Sequence, residues 1–132
     1  MEKRENIQDR LRFISERDII VPTPEGDFLI ESKSRNLEFG SDPLSFPYSM
    51  PFVDTRSGWD QKEEKPRAVV FVSPKTREML VVSVEHTRAS WTTEERFDHV
   101  RKIKDTFYVV PKEKLVSFDT LVKFLRRVSG KG

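Results

Sequence analysis

Two carboxylates and a lysine stand where they could hold a metal ion: Asp18 and, thirteen residues on, Glu31-Ser32-Lys33. Between them, Ile19-Ile20-Val21 and Phe28-Leu29-Ile30 flank Pro22-Thr23-Pro24-Glu25-Gly26-Asp27, which reads as a hairpin because Pro and Gly supply the turn. Such a hairpin brings Asp18 and Glu31 to one end of a sheet, where both could share a magnesium ion with Lys33 beside it. The plainer reading is a surface strand whose ends are wet, opening on Asp and closing on Glu and Lys.

A second chemistry lies in cations interleaved with rings. Arg67, Arg88, Trp91, Arg96, Arg101 and Lys104 fall within fewer than forty residues, and Tyr48, Phe52 and Trp59 immediately precede them. Cations neutralise phosphates, and flat side chains give stacking platforms worth ~1–3 kcal/mol per base. In this reading the arginines and Lys104 hold phosphates while Trp59 and Trp91 stack on bases of a single strand, DNA in preference to RNA, with little sequence specificity. A duplex is disfavoured because the helix expected from residue 93 begins with Glu94 and Glu95, which would repel a groove.

The expectation is a non-catalytic protein that binds single-stranded nucleic acid and needs no metal or cofactor. A metal-dependent nuclease using Asp18, Glu31 and Lys33 is the alternative, and a protein-interaction module the third. His86 and His99 have no partners at zinc-ligand spacing. Ser83, Ser90 and Ser117 lack a nucleophile elbow, and Gly26, Gly40 and Gly58 form no phosphate loop.

Bulk properties agree with a binding role. The chain of 132 residues is of one-domain size, and the lack of cysteine excludes disulfides, thiolate zinc sites and thiol catalysis. Apolar runs of about five residues fall far short of the ~20 that a membrane helix needs, so a soluble, cytoplasmic protein is expected. Charged residues make up 35% of the chain, while Asn stands only at 6 and 36 and Gln only at 8 and 61, which leans towards a thermophilic source. The net charge of +2 divides unevenly, −4 over residues 1–66 and +6 over residues 67–132, as expected if one surface meets a polyanion.

The elements that must position these residues follow from periodicity. Ile7, Leu11 and Ile14 place a short amphipathic helix over 1–17. Residues 32–65 lack regular patterning but carry Phe39, Leu44, Phe46, Tyr48, Phe52 and Trp59, and so read as an ordered aromatic arm, most of its rings plugging the core and Trp59 the most exposed. Ala68–Val72 and Met79–Glu85 form a central hairpin. Thr92 and Glu95 resemble a capping box that opens a helix over 93–104, with Phe97, Val100 and Ile103 as its apolar stripe. Phe107–Val110 then lies parallel to Met79–Glu85 through a right-handed crossover. A last helix with Leu121, Leu125 and Val128 inward closes the chain, and that face could also make a homodimer. The fold class is α+β: one domain, a mixed sheet with helices mainly on one face, and a ββαβα core over 66–128.

From residue 66 onward the expected order, strand, strand, helix, strand, resembles the core of the PD-(D/E)XK nucleases, with Pro66-Arg67 and Glu85-His86-Thr87 at the signature positions. Arg67 stands where that family has a metal-binding carboxylate and Thr87 where it has a lysine, so the resemblance implies no metal centre there.

Overall fold

The computed structural model describes residues 18–98 and 102–128. The amphipathic helix expected over 1–17 lies outside them. In chain order the elements are β1 (Asp18–Thr23), β2 (Gly26–Ser34), β3 (Phe52–Thr55), α1 (Arg56–Asp60), β4 (Ala68–Val72), β5 (Met79–Ser83), α2 (Val84–Thr87), β6 (Thr92–Asp98), β7 (Ile103–Val109), β8 (Val116–Ser117) and α3 (Phe118–Val128). The fold is α+β. Five strands pair in the order β1-β2-β4-β5-β8, and β3-β7-β6 form a separate antiparallel sheet.

The first hairpin forms as its sequence dictates. Gly26 turns at φ +118°, a conformation that a side chain would strain, and Asp18 becomes the register partner of Glu31. Pro22 cannot donate to an inner ladder, and β1 is accordingly the edge strand. β2 and β4 run parallel, with Glu31 level with Val69 and Lys33 level with Phe71. Strands buried on both faces carry nearly continuous apolar runs, as Phe28-Leu29-Ile30 and Ala68-Val69-Val70-Phe71 do.

Alternation along these strands builds two cores. Val69, Phe71, Leu80 and Val82 face the second sheet and pack with Phe39, Phe46, Val53, Trp59 and Trp91. Phe28, Ile30, Ala68, Val70 and Val81 face the other way and pack with Leu121 of α3, supported by Phe124 and Leu125. The apolar face of the last helix is thus used on its own sheet.

The aromatic arm is anchored by hydroxyls of the β4–β5 turn, where Ser73 Oγ donates to the Leu37 carbonyl and Thr76 Oγ1 to the Phe39 carbonyl, each at 2.6 Å. Phe39 and Phe46 fill the first core as expected, whereas Tyr48 stays exposed. Part of the arm is regular, since it contains β3 and α1.

The helix expected over 93–104 is a β-hairpin instead. β6 and β7 pair from Thr92↔Val109 to Asp98↔Ile103. Phe97 lies opposite Lys104 and Ile103 opposite Asp98, so Phe97 and Ile103 project to opposite faces. Both are about half exposed. Their spacing imitates a helical stripe only because the reversal between β6 and β7 falls between them, with Lys102 at φ +60°. Glu95 sits across from Thr106 instead of capping. The β-branched Thr92, Thr93 and Thr106 suit this pleat better than a helix. It follows that Phe107–Val109 runs antiparallel in the second sheet, between β3 and β6, and not parallel to β5. The ββαβα core expected over 66–128 is replaced by two hairpins, β8 and α3.

Candidate functional site

On β2, Glu31 and Lys33 alternate onto the face that meets the second sheet. Glu31 is 8% exposed. Asp54 approaches from β3, where the register with β7 shifts between Phe52 and Asp54. A bulge of this kind re-aims a side chain; Val53 fills the core while Asp54 joins Glu31. Asp54 is fixed from behind, its Oδ1 accepting from the Thr55 amide at 2.8 Å. Thr55 then caps α1 by accepting from the Gly58 amide at 3.0 Å. A side chain at Gly58 would displace this capping hydroxyl, because a Cβ would fall 2.7 Å from Thr55 Oγ1 and 3.4 Å from Asp54 Oδ1. Trp59 pins α1 into the core, and just beyond the helix Lys62 turns back to the acids.

Four charges therefore converge from three segments. Lys33 Nζ lies 3.5 Å from Glu31 Oε2 and 3.6 Å from Asp54 Oδ1. Lys62 Nζ lies 3.3 Å from Glu31 Oε2 and 3.5 Å from Asp54 Oδ2. Optimal ammonium–carboxylate bonds are shorter, about 2.7–2.9 Å, so the cluster is loosely coordinated. Glu31 Oε1 and Asp54 Oδ2 are both shielded from solvent; Glu31 Oε1 accepts no hydrogen bond, and Asp54 Oδ2 has only the 3.5 Å ion pair with Lys62. Arg35 stands behind the acids, donating to the Phe52 carbonyl at 3.0 Å with its guanidinium 5.0 Å from the Phe71 ring centre. Burial pulls the Arg35 pKa below its ordinary value, against the upward pull of Asp54 and Glu31. For Lys62, burial acts downward but Glu31 and Asp54 outweigh it and raise the pKa.

Of the residues read from sequence as a metal set, Glu31 and Lys33 meet in this cluster, while Asp18 is the backbone register partner of Glu31. Asp54, Lys62 and Arg35 carry no motif in the sequence; the only local signal was the cap Thr55-Arg56-Ser57-Gly58 that follows Asp54.

The stacking set is dispersed. Trp59 and Trp91 are 3% and 7% exposed and pack edge to face at 4.9 Å, with Trp91 Nε1 donating to Thr87 Oγ1 at 2.9 Å. Neither ring is open to a base; the expected exposure of Trp59 is overturned because α1 needs an apolar anchor. Arg88 covers Trp91 and Tyr108 at 4.9 and 4.8 Å. Arg96 lies over Phe52 and is bonded by Glu94, and Lys104 lies 3.9 Å from Glu95. Arg67 pairs with Glu85 on the other face of the larger sheet. Arg101 lies outside the described residues.

Among the described residues no three Asp, Glu, His or Cys side chains gather to hold a metal, and no helix is long and apolar enough to cross a membrane. No family model, curated protein or solved structure matches the chain.

Proposed function

We propose that Glu31, Asp54, Lys33 and Lys62 form the working centre of an enzyme that cleaves nucleic-acid phosphodiester bonds with a divalent cation. The observation that carries this reading is the pair of shielded carboxylates drawn from different sheets, Glu31 keeping Oε1 without a hydrogen-bond partner and Asp54 engaging Lys62 through Oδ2 only at 3.5 Å. Burying ion pairs costs several kcal/mol per charge and is seldom the best route to stability. A magnesium-like ion is commonly held by one or two carboxylates, with water and substrate phosphate completing its shell. Glu31 and Asp54 supply that number. Such a cation would lower the pKa of a bound water and neutralise phosphate charge. Lys33 and Lys62 add positive charge beside the acids to draw in and orient the phosphate.

Labelled single-stranded and duplex DNA incubated with magnesium or manganese should be cut, and Glu31→Gln, Asp54→Asn and Lys33→Met should each slow cutting by about a hundredfold or more while circular dichroism stays native. DNA left intact with both metals overturns the proposal.

A second reading, non-catalytic binding of a single strand, is favoured by Arg88 and Arg96, whose planar groups lie over rings and leave an outer face for a base. Binding to oligonucleotides in EDTA should then weaken in Arg88→Ala and Arg96→Ala; unchanged affinity in both removes it.

A further inference from the structure

On the opposite face of the larger sheet, a groove of about 450 Å³ opens between β5 and α3. Its floor is apolar, made by Phe28, Val81, Leu121 and Phe124, and its mouth carries Arg67, Lys114, Lys123 and Arg127 against two acids, Glu85 in the lining and Asp119 beside Lys123. We infer that this groove binds a small anionic amphiphile, an acyl or aryl body carrying a carboxylate or phosphate.

Size and lining agree with that occupant. Pockets of about 300–1,000 Å³ with mostly apolar walls and a few fixed polar groups are typical of small-molecule sites. Rings of the floor hold two of the cations at the mouth: the Arg67 guanidinium lies 4.8 Å from the Phe28 ring centre and that of Arg127 5.6 Å from Phe124. The ion pairs at the mouth leave its charge available. Arg67 and Glu85 meet at 3.3 Å with side chains 50% and 68% exposed, and Lys123 and Asp119 at 3.5 Å with side chains 74% and 78% exposed. Exposed pairs of this kind are weak, so an incoming anion competes with them readily. An apolar body on the floor therefore directs its charged end to the cationic mouth. A neutral ligand of the same shape forgoes that attraction, and an inorganic anion forgoes the floor.

The test is titration of the full chain with decanoate, 1-naphthyl phosphate and decanol, followed by amide chemical shifts. Saturable shifts at Ala68, Val81, Leu121 and Phe124 with either anion are expected, with affinity at least tenfold weaker for decanol. The paired substitution Lys123→Glu with Arg127→Glu should weaken the anions tenfold or more and leave decanol unchanged. Binding of decanoate alone assigns a lipid-derived acid, and binding of the naphthyl phosphate alone an aryl phosphate. No saturable shift, shifts confined to other surfaces, equal affinity for decanol, or a dimer that covers the groove overturns the inference. None of these readouts depends on DNA cleavage, so the two proposals fail separately.

Discussion

β2 sends two unlike sets of side chains in opposite directions. Its even positions, Phe28 and Ile30, join an apolar core beneath α3, whereas Glu31 and Lys33 enter a nest of charges against the second sheet. One side gains free energy by removing hydrocarbon from water. The other holds partly desolvated charges 3.3–3.6 Å apart, where mutual attraction is set against the cost of desolvation. The contrast teaches that one strand can put its apolar packing on one face and its charged side chains on the other.

The largest effect expected is on the apolar side. Phe28→Ala, which removes a ring packed on Phe124 at 5.6 Å, should cost about 3–5 kcal/mol in urea unfolding; a cost below about 1 kcal/mol would erase the distinction between the faces. On the charged side, replacing the cluster whole, by Glu31→Leu, Lys33→Met, Asp54→Leu and Lys62→Met, should leave stability unchanged or raise it by about 1–4 kcal/mol while ending DNA cleavage. Marked destabilisation of that variant would show that the ions serve the fold.

The smallest effect is a pH dependence. The Lys62 pKa is raised from its ordinary 10.5, because Glu31 and Asp54 outweigh the downward pull of burial. Its contribution to stability is therefore complete below that ordinary value and is lost as pH climbs through the raised one. Above about pH 10.5 the unmodified protein should lose stability more steeply than Lys62→Met, as read by chemical denaturation at fixed pH. The Tyr108 pKa is also raised, chiefly by the hydrogen bond to Asp60, so the comparison is made in a Tyr108→Phe background. Parallel curves would remove the coupling of Lys62 to the acids.

Legibility in the sequence followed the range of the forces. Turn chemistry and alternation are local, and they placed the first hairpin, the β4–β5 hairpin and the last helix. The pairing of Asp18 with Glu31 followed from the same rules. What escaped is set by contacts remote in the chain: Asp54 reaches Glu31 through a register shift against β7, and Lys62 through a helix anchored by a buried tryptophan. The β6–β7 hairpin was misread for a related reason. Phe97 and Ile103 satisfy a helical period, but pairing of β7 with β3, stabilised where Phe52 stacks on Phe107 at 4.4 Å, decides the matter.

The paired tryptophans turn from prospective ligand contacts into an optical gauge. Trp59 belongs to the segment after β3 and Trp91 to the one before β6, so their edge-to-face contact exists only while those segments stay docked together. Emission from the native protein should be blue-shifted and should move to the red when the two sheets part.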